Sequence, residues 1–200
     1  MWPSKVLWCG LLASLPWLMV GEKQANGADV ELKGMQFYCP DTITELRTKL
    51  QAIEGVTNVE IDRGDGSTKF KAATPAATNA ALAAVAGIGL YGVPKIDGQP
   101  AKFPITAIPA DSKAPRVVFR NVQLGCRAGS NGVAKALEKI EAVGTIDCDQ
   151  KTNTVVITAR GDDPLVVAEL QAALNVAGFN AVWAQDATGI PSKGKTTKGK

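Results

Sequence analysis

The predicted order of elements is the same on both sides of a proline-rich stretch, and this internal repeat constrains the fold more than any other feature of the chain. In the first half, "ADVELKG" (28–34) alternates apolar and polar residues as a half-buried strand does. A helix is predicted after Cys39, because Ile43, Leu46, Leu50 and Ile53 recur at helical spacing on one face. Pro40 marks its entry, Thr42 and Glu45 form a capping box, and Gly55 marks its exit. "VTNVEID" and "STKFKAA" alternate on either side of "RGDG", which predicts a hairpin. Thr74 and Pro75 open an alanine-rich helix ending near Gly87, and "GLYGVPKI" supplies a last strand.

The second half repeats this order. "RVVFRNV" (116–122) reads as a strand, and the glycine-rich turn "GCRAGSNG" leads into the helix "VAKALEKIEAV" with Val133, Leu137 and Ile140 on one face. "GTIDCD" and "TVVITA" form a hairpin around "QKTN". Asp163 and Pro164 are placed to cap "LVVAELQAALNVAG", whose glycine stops the helix before the strand "FNAVWAQ". A βαββαβ unit is the split βαβ, or ferredoxin-like, arrangement. The expected fold is therefore α+β: two such units in tandem, each a four-stranded antiparallel sheet with two helices on one face. The units span 28–97 and 116–186. The stretch between them, 98–115, holds four of the eleven prolines and reads as a linker.

The ends of the chain differ from these units. Lys5 precedes the apolar run "VLWCGLLASLPWLMV" (6–20), which is followed by small and polar residues, so 1–27 reads as a secretory signal. The run is short for a spanning helix and Pro16 interrupts it, although retention as a membrane anchor is the alternative. An exported protein, periplasmic or extracellular, is expected. Residues 187–200 read as a disordered tail rich in lysine, glycine and threonine. The formal net charge of +3 resides in these ends, since 28–188 carries −2. No basic stripe interleaved with aromatics points to nucleic acid.

Two stretches carry a family resemblance. "GMQFYC" with "LRTKLQAIEGVTNVEID" (34–62) resembles the heavy-metal-associated domain of copper chaperones, mercury-binding periplasmic proteins and metal-pumping ATPases. "CRAGSNGVAKALEKIEAVGTIDCDQKTNTVVITA" with "VAELQAALNVAGFNAV" is similar to it as well. The resemblance implies the fold, binding of a soft metal ion such as Cu(I), and a donor or acceptor protein for that ion. The family's Gly-Met-x-Cys-x-x-Cys loop is not intact in either copy. Counted from Gly34, its cysteines would fall on Phe37 and Pro40; counted from Asn121, on Leu124 and Arg127. Each copy instead has one cysteine displaced by two residues, Cys39 and Cys126, and the second of each pair would then be Thr42 or Gly129.

Linear coordination of Cu(I) or Hg(II) needs two soft thiolates together, so a single cysteine per loop is a weak site. The chain has no histidine, which disfavours zinc and Cu(II). A metal would therefore be shared between Cys39 and Cys126 across the two units, or between two molecules. Outside the cytosol these thiols are also candidates for disulfides. Cys39 precedes a helix and reads equally as ligand, disulfide partner or packed small residue. Cys126 lies in a turn where Gly125, Gly129 and Gly132 allow either an anion nest or simple flexibility. Cys148 alternates with Ile146 toward the core, and a Cys126–Cys148 bridge is the rival to packing there.

No acidic pair, histidine or nucleophile motif supports catalysis, and an enzyme is not expected. The function expected is an exported carrier or binder of a copper-like ion through Cys39 and Cys126. The alternative is a metal-free interaction or scaffold module that has kept the fold and lost the chelating pair.

Overall fold

The computed structural model describes residues 27–184. The predicted secretory run and the lysine-rich tail lie outside them. The first half forms β1 (Ala28–Lys33), α1 (Pro40–Gln51), β2 (Val56–Asp62), β3 (Ser67–Ala72), α2 (Pro75–Gly87), β4 (Val93–Ile96) and β5 (Gln99–Pro100). Its sheet runs β2-β3-β1-β4-β5, antiparallel throughout. The second half forms β6 (Lys113–Ala114), β7 (Arg116–Arg120), α3 (Arg127–Leu137), β8 (Val143–Asp149), β9 (Thr154–Ala159), β10 (Leu165–Val166), α4 (Val167–Val176) and β11 (Val182–Trp183). Its sheet runs β11-β7-β9-β8, and β10 pairs with β6. With the short strands set aside, both sheets have the first strand of the unit beside its fourth and third. This is the ferredoxin-like order, and the protein is α+β with two such units.

Each unit closes its own core by the periodicities seen in its sequence. Val30 and Leu32 of β1 turn inward while Asp29, Glu31 and Lys33 face out. Leu46 and Leu50 of α1, Phe70 of β3, and Leu82 and Val85 of α2 meet them. Ala77 and Ala81 of α2 are buried, so its backbone can approach the sheet closely. In the second unit Val117, Phe119, Leu137, Ile157, Leu170, Leu174 and Phe179 do the same work. Each fully buried side chain of this size stabilises the fold by roughly 1.5–3 kcal/mol relative to exposure.

Three helix starts differ from expectation, α3 beginning at Arg127 within the stretch read as a glycine-rich turn and ending at Leu137. Helix α1 begins at Pro40 with Cys39 as its cap, and Thr42 lies inside the first turn, buried, rather than capping it. Proline suits the first helical position because the amide it lacks has no partner there. Helix α4 begins at Val167, not beside Asp163, because Leu165 and Val166 stay extended to pair with Ala114 and Lys113. By contrast Thr74 caps α2 as expected, its hydroxyl accepting from the Ala77 amide at 3.1 Å. The stretch 98–115 is anchored on both units. Phe103 is buried in the first core and meets Tyr91 edge-to-face at 5.0 Å. Ile108 packs on the second core, and Gln171 Nε2 donates to the Thr106 carbonyl at 3.2 Å.

Candidate functional site

The loops that follow β1 and β7 are built alike. Gly34 and Asn121 both turn the chain with positive φ, 76° and 58°. The next residue then donates its amide to the far hairpin: Met35 to the Gly66 carbonyl at 2.9 Å, Val122 to that of Asn153 at 3.1 Å. Met35 and Val122 are fully buried. Phe37 and Leu124, which stand where the family motif would place its first cysteine, are buried core residues too. Pro40 and Arg127, at the second motif position, are the first residues of α1 and α3. In both loops the cysteine is therefore the residue immediately before the helix, in extended conformation and without a side-chain capping bond.

The two units meet through equivalent residues. Leu90 and Phe179, each just ahead of its unit's last strand, form an antiparallel bridge. The Tyr91 amide donates to the Gly178 carbonyl at 2.8 Å, and the Asn180 amide to that of Gly89 at 2.9 Å. Gly89 and Gly178 adopt φ of 78° and 81°, and each lies under the other unit's loop. A Cβ on Gly89 would come within 2.6 Å of the Gln123 amide nitrogen, and one on Gly178 within 2.7 Å of that of Gln36. These reciprocal contacts describe a pseudo-two-fold axis within one chain, as in an isologous dimer.

That axis brings Cys39 and Cys126 together. They form a disulfide, with Cα atoms 6.0 Å apart and a sequence separation of 87. The Cys126–Cys148 bridge, the rival to packing, is not formed: Cys148 is a free thiol. It sits on β8, separated from β7 by β9, and is packed with Ile146, partly buried, against the second core. Burial, with Asp147 adding to it, pushes its pKa up to about 11. Among the described residues no group of three or more His, Cys, Asp or Glu side chains could hold a metal. Asp147 and Asp149 are exposed on β8, and Asp149 accepts from the Lys151 amide at 2.9 Å, a turn bond.

The disulfide is flanked by close packing. Beside Cys39, the Tyr38 ring stacks on Phe179, and its hydroxyl donates to the Ala177 carbonyl at 3.5 Å. Burial raises the pKa of that hydroxyl. The carbonyl of Ala86, in the last turn of α2, accepts from the amides of Asn121 and Asn180, both at 2.9 Å. One sign of this interface is present in the sequence and lies outside the family motif. The tripeptides "GLY" (89–91) and "GFN" (178–180) repeat a glycine followed by a large apolar residue after each unit's second helix.

No family model matches the chain, and no curated protein matches it. Several solved structures are similar at low identity. The apo form of the heavy-metal-associated domain of a copper chaperone for superoxide dismutase is 19% identical over 51% of this chain and 100% of its own, with a TM-score of 0.33. The N-terminal soluble domains of Bacillus subtilis CopA are 15% identical over 80% of this chain and 97% of their own, with a TM-score of 0.29. RNA recognition domains 1 and 2 of Sex-lethal from Drosophila melanogaster are 14% identical over 80% and 100%, with a TM-score of 0.25. A fold does not by itself assign a function, which has to be argued from the site.

Proposed function

We propose that the protein is an exported, non-enzymatic binder of a soft, copper-like metal ion, held by Cys39 and Cys126 and passed to a donor or acceptor protein by thiolate exchange. The observation that supports this reading is the convergence of the two displaced cysteines on one axis, 6.0 Å apart at Cα. Two thiolates, one from each unit, make the ligand set that linear Cu(I) takes. Each would stand at a helix N-terminus, where the dipole favours the thiolate over the thiol. The disulfide is the oxidised, closed form of the pair, and an ion enters only after reduction.

The outer face of the first sheet also supports a role other than RNA binding. Lys71 pairs with Asp29 at 2.7 Å and Lys69 with Glu31 at 3.5 Å across β1 and β3. Sheets that read RNA present aromatic rings at such positions.

A second reading is favoured by one observation. Cys39 is 4% exposed, and the interface around the disulfide is hydrogen-bonded and packed in its own right. On that reading the disulfide is a staple, and the protein is a metal-free scaffold. Titration of the reduced protein with Cu(I) against a competing chelator separates the two. One ion per chain, lost in Cys39→Ser and in Cys126→Ser but kept in Cys148→Ser, supports the carrier. Failure of the reduced wild type to compete for Cu(I) leaves the staple.

A further inference from the structure

The two sulfurs of the disulfide are equivalent in the repeat but not in their surroundings. Cys39 is 4% exposed, next to a Tyr38 ring held against Phe179. Cys126 is only partly buried and lies between two exposed residues, Gly125 and Arg127. Gly125 has no side chain to shield the bond, and Arg127 places a positive charge one residue away. An anionic reagent is therefore drawn to the Cys126 side.

We propose that the disulfide is opened by a small anionic thiol attacking the Cys126 sulfur, with Cys39 as the leaving group. The incoming thiolate's electron pair forms the new sulfur–sulfur bond to Cys126. The Cys39–Cys126 bond breaks, and its electron pair leaves on Cys39 as thiolate at the N-terminus of α1. One disulfide is exchanged for another in that step. A second equivalent of the thiol then attacks the mixed disulfide at its own sulfur, freeing Cys126 and carrying away the oxidised small thiol. Cys148 takes no part, since it is on β8, packed against the second core. This deepens the metal-site reading and rests on it: the pair must open before an ion can enter, and access to Cys126 then controls loading.

The test uses the oxidised full chain under native conditions with glutathione as the probe. The reaction is quenched at short times with excess maleimide, and the adducts are mapped by peptide mass spectrometry. The expected intermediate carries glutathione on Cys126 and maleimide on Cys39, in at least about tenfold excess over the reverse, because access selects the sulfur attacked. Arg127→Glu is expected to slow opening by glutathione several-fold more than opening by neutral 2-mercaptoethanol. Equal or reversed labelling overturns the proposal, as does a bond that opens only in denaturant. Chemically reduced protein can still be titrated with Cu(I) after such a result. Conversely, a failed titration leaves the adduct map unchanged, so the two readings fail separately.

Discussion

The ring of Tyr38, in the first unit, lies parallel to that of Phe179 in the second, with centroids 5.1 Å apart and planes inclined by 2°. Tyr38 also covers Gly132 of α3, where a Cβ would fall 2.5 Å from its Cζ. One side chain therefore ties the first loop to a strand entry and a helix of the other unit. Tyr38→Ala should cost about 2–4 kcal/mol, through lost stacking and an unfilled interface. Gly132→Ala should cost about 1–3 kcal/mol by overpacking. Urea unfolding of the two single variants and the double variant checks the contact, because the cost of Gly132→Ala should shrink once Tyr38 is gone.

Reduction of the Cys39–Cys126 disulfide should lower stability substantially. With a sequence separation of 87 between the cysteines, the chain-entropy treatment gives about 4–5 kcal/mol. Cys39→Ser and Cys126→Ser should show the same loss without reductant, while Cys148→Ser should not. Urea midpoints with and without reductant measure this. Ion binding to the reduced pair should restore part of the loss, in proportion to affinity.

The Cys148 thiol should be inert near neutral pH. With its pKa pushed up from 9.0 to about 11, it is protonated in the folded protein where an unfolded thiol would already be ionising. The raised value is an asset below about pH 9, where both states hold the proton. It is lost as pH rises through 11. Stability should therefore decline over that interval, and Cys148→Ala should flatten the decline. Iodoacetamide labelling at neutral pH should be slow in native protein and fast in urea.

Asn180 is 4% exposed, and its side-chain amide serves the end of α2 at the Ala86 carbonyl. Asn180→Asp would turn a donor into a carboxylate facing that oxygen. The expected loss is about 1–3 kcal/mol or more, measured by thermal or urea unfolding at neutral pH. Asn121→Ala should cost less, because Asn121 is only half-buried and Asn180 still bonds the same carbonyl.

The repeat made the architecture legible, since alternation in β1 and β3 and helical spacing in α1 and α3 each reflect burial on one face. The helix starts were harder to read. Thr42 and Asp163 have the chemistry of caps, but proline geometry at Pro40 and strand pairing at Val166 outweigh it. The site was legible only in outline. Displacement of Cys39 and Cys126 from the motif positions raised the idea that the two loops share one function. What joins them is the contact of Gly89 with the Gln123 loop and of Gly178 with the Gln36 loop, which no local pattern encodes. A Cys126–Cys148 bridge would stay within one unit, whereas the partner of Cys126 lies in the other.

The disulfide also changes the covalent shape of the molecule. From Cys39 to Cys126 the backbone and the sulfur–sulfur bond close a macrocycle, with α1, the first hairpin, α2 and the whole connecting stretch inside its circuit. The second hairpin and α4 hang from it as an open branch. A single peptide cut between Phe103 and Ile108 would open the ring without dividing the molecule. A cut in the β8–β9 turn would split it into two separate chains. Proteases could thus nick the exposed connection and leave one covalent particle, which falls into two pieces only when a reductant reaches the axis.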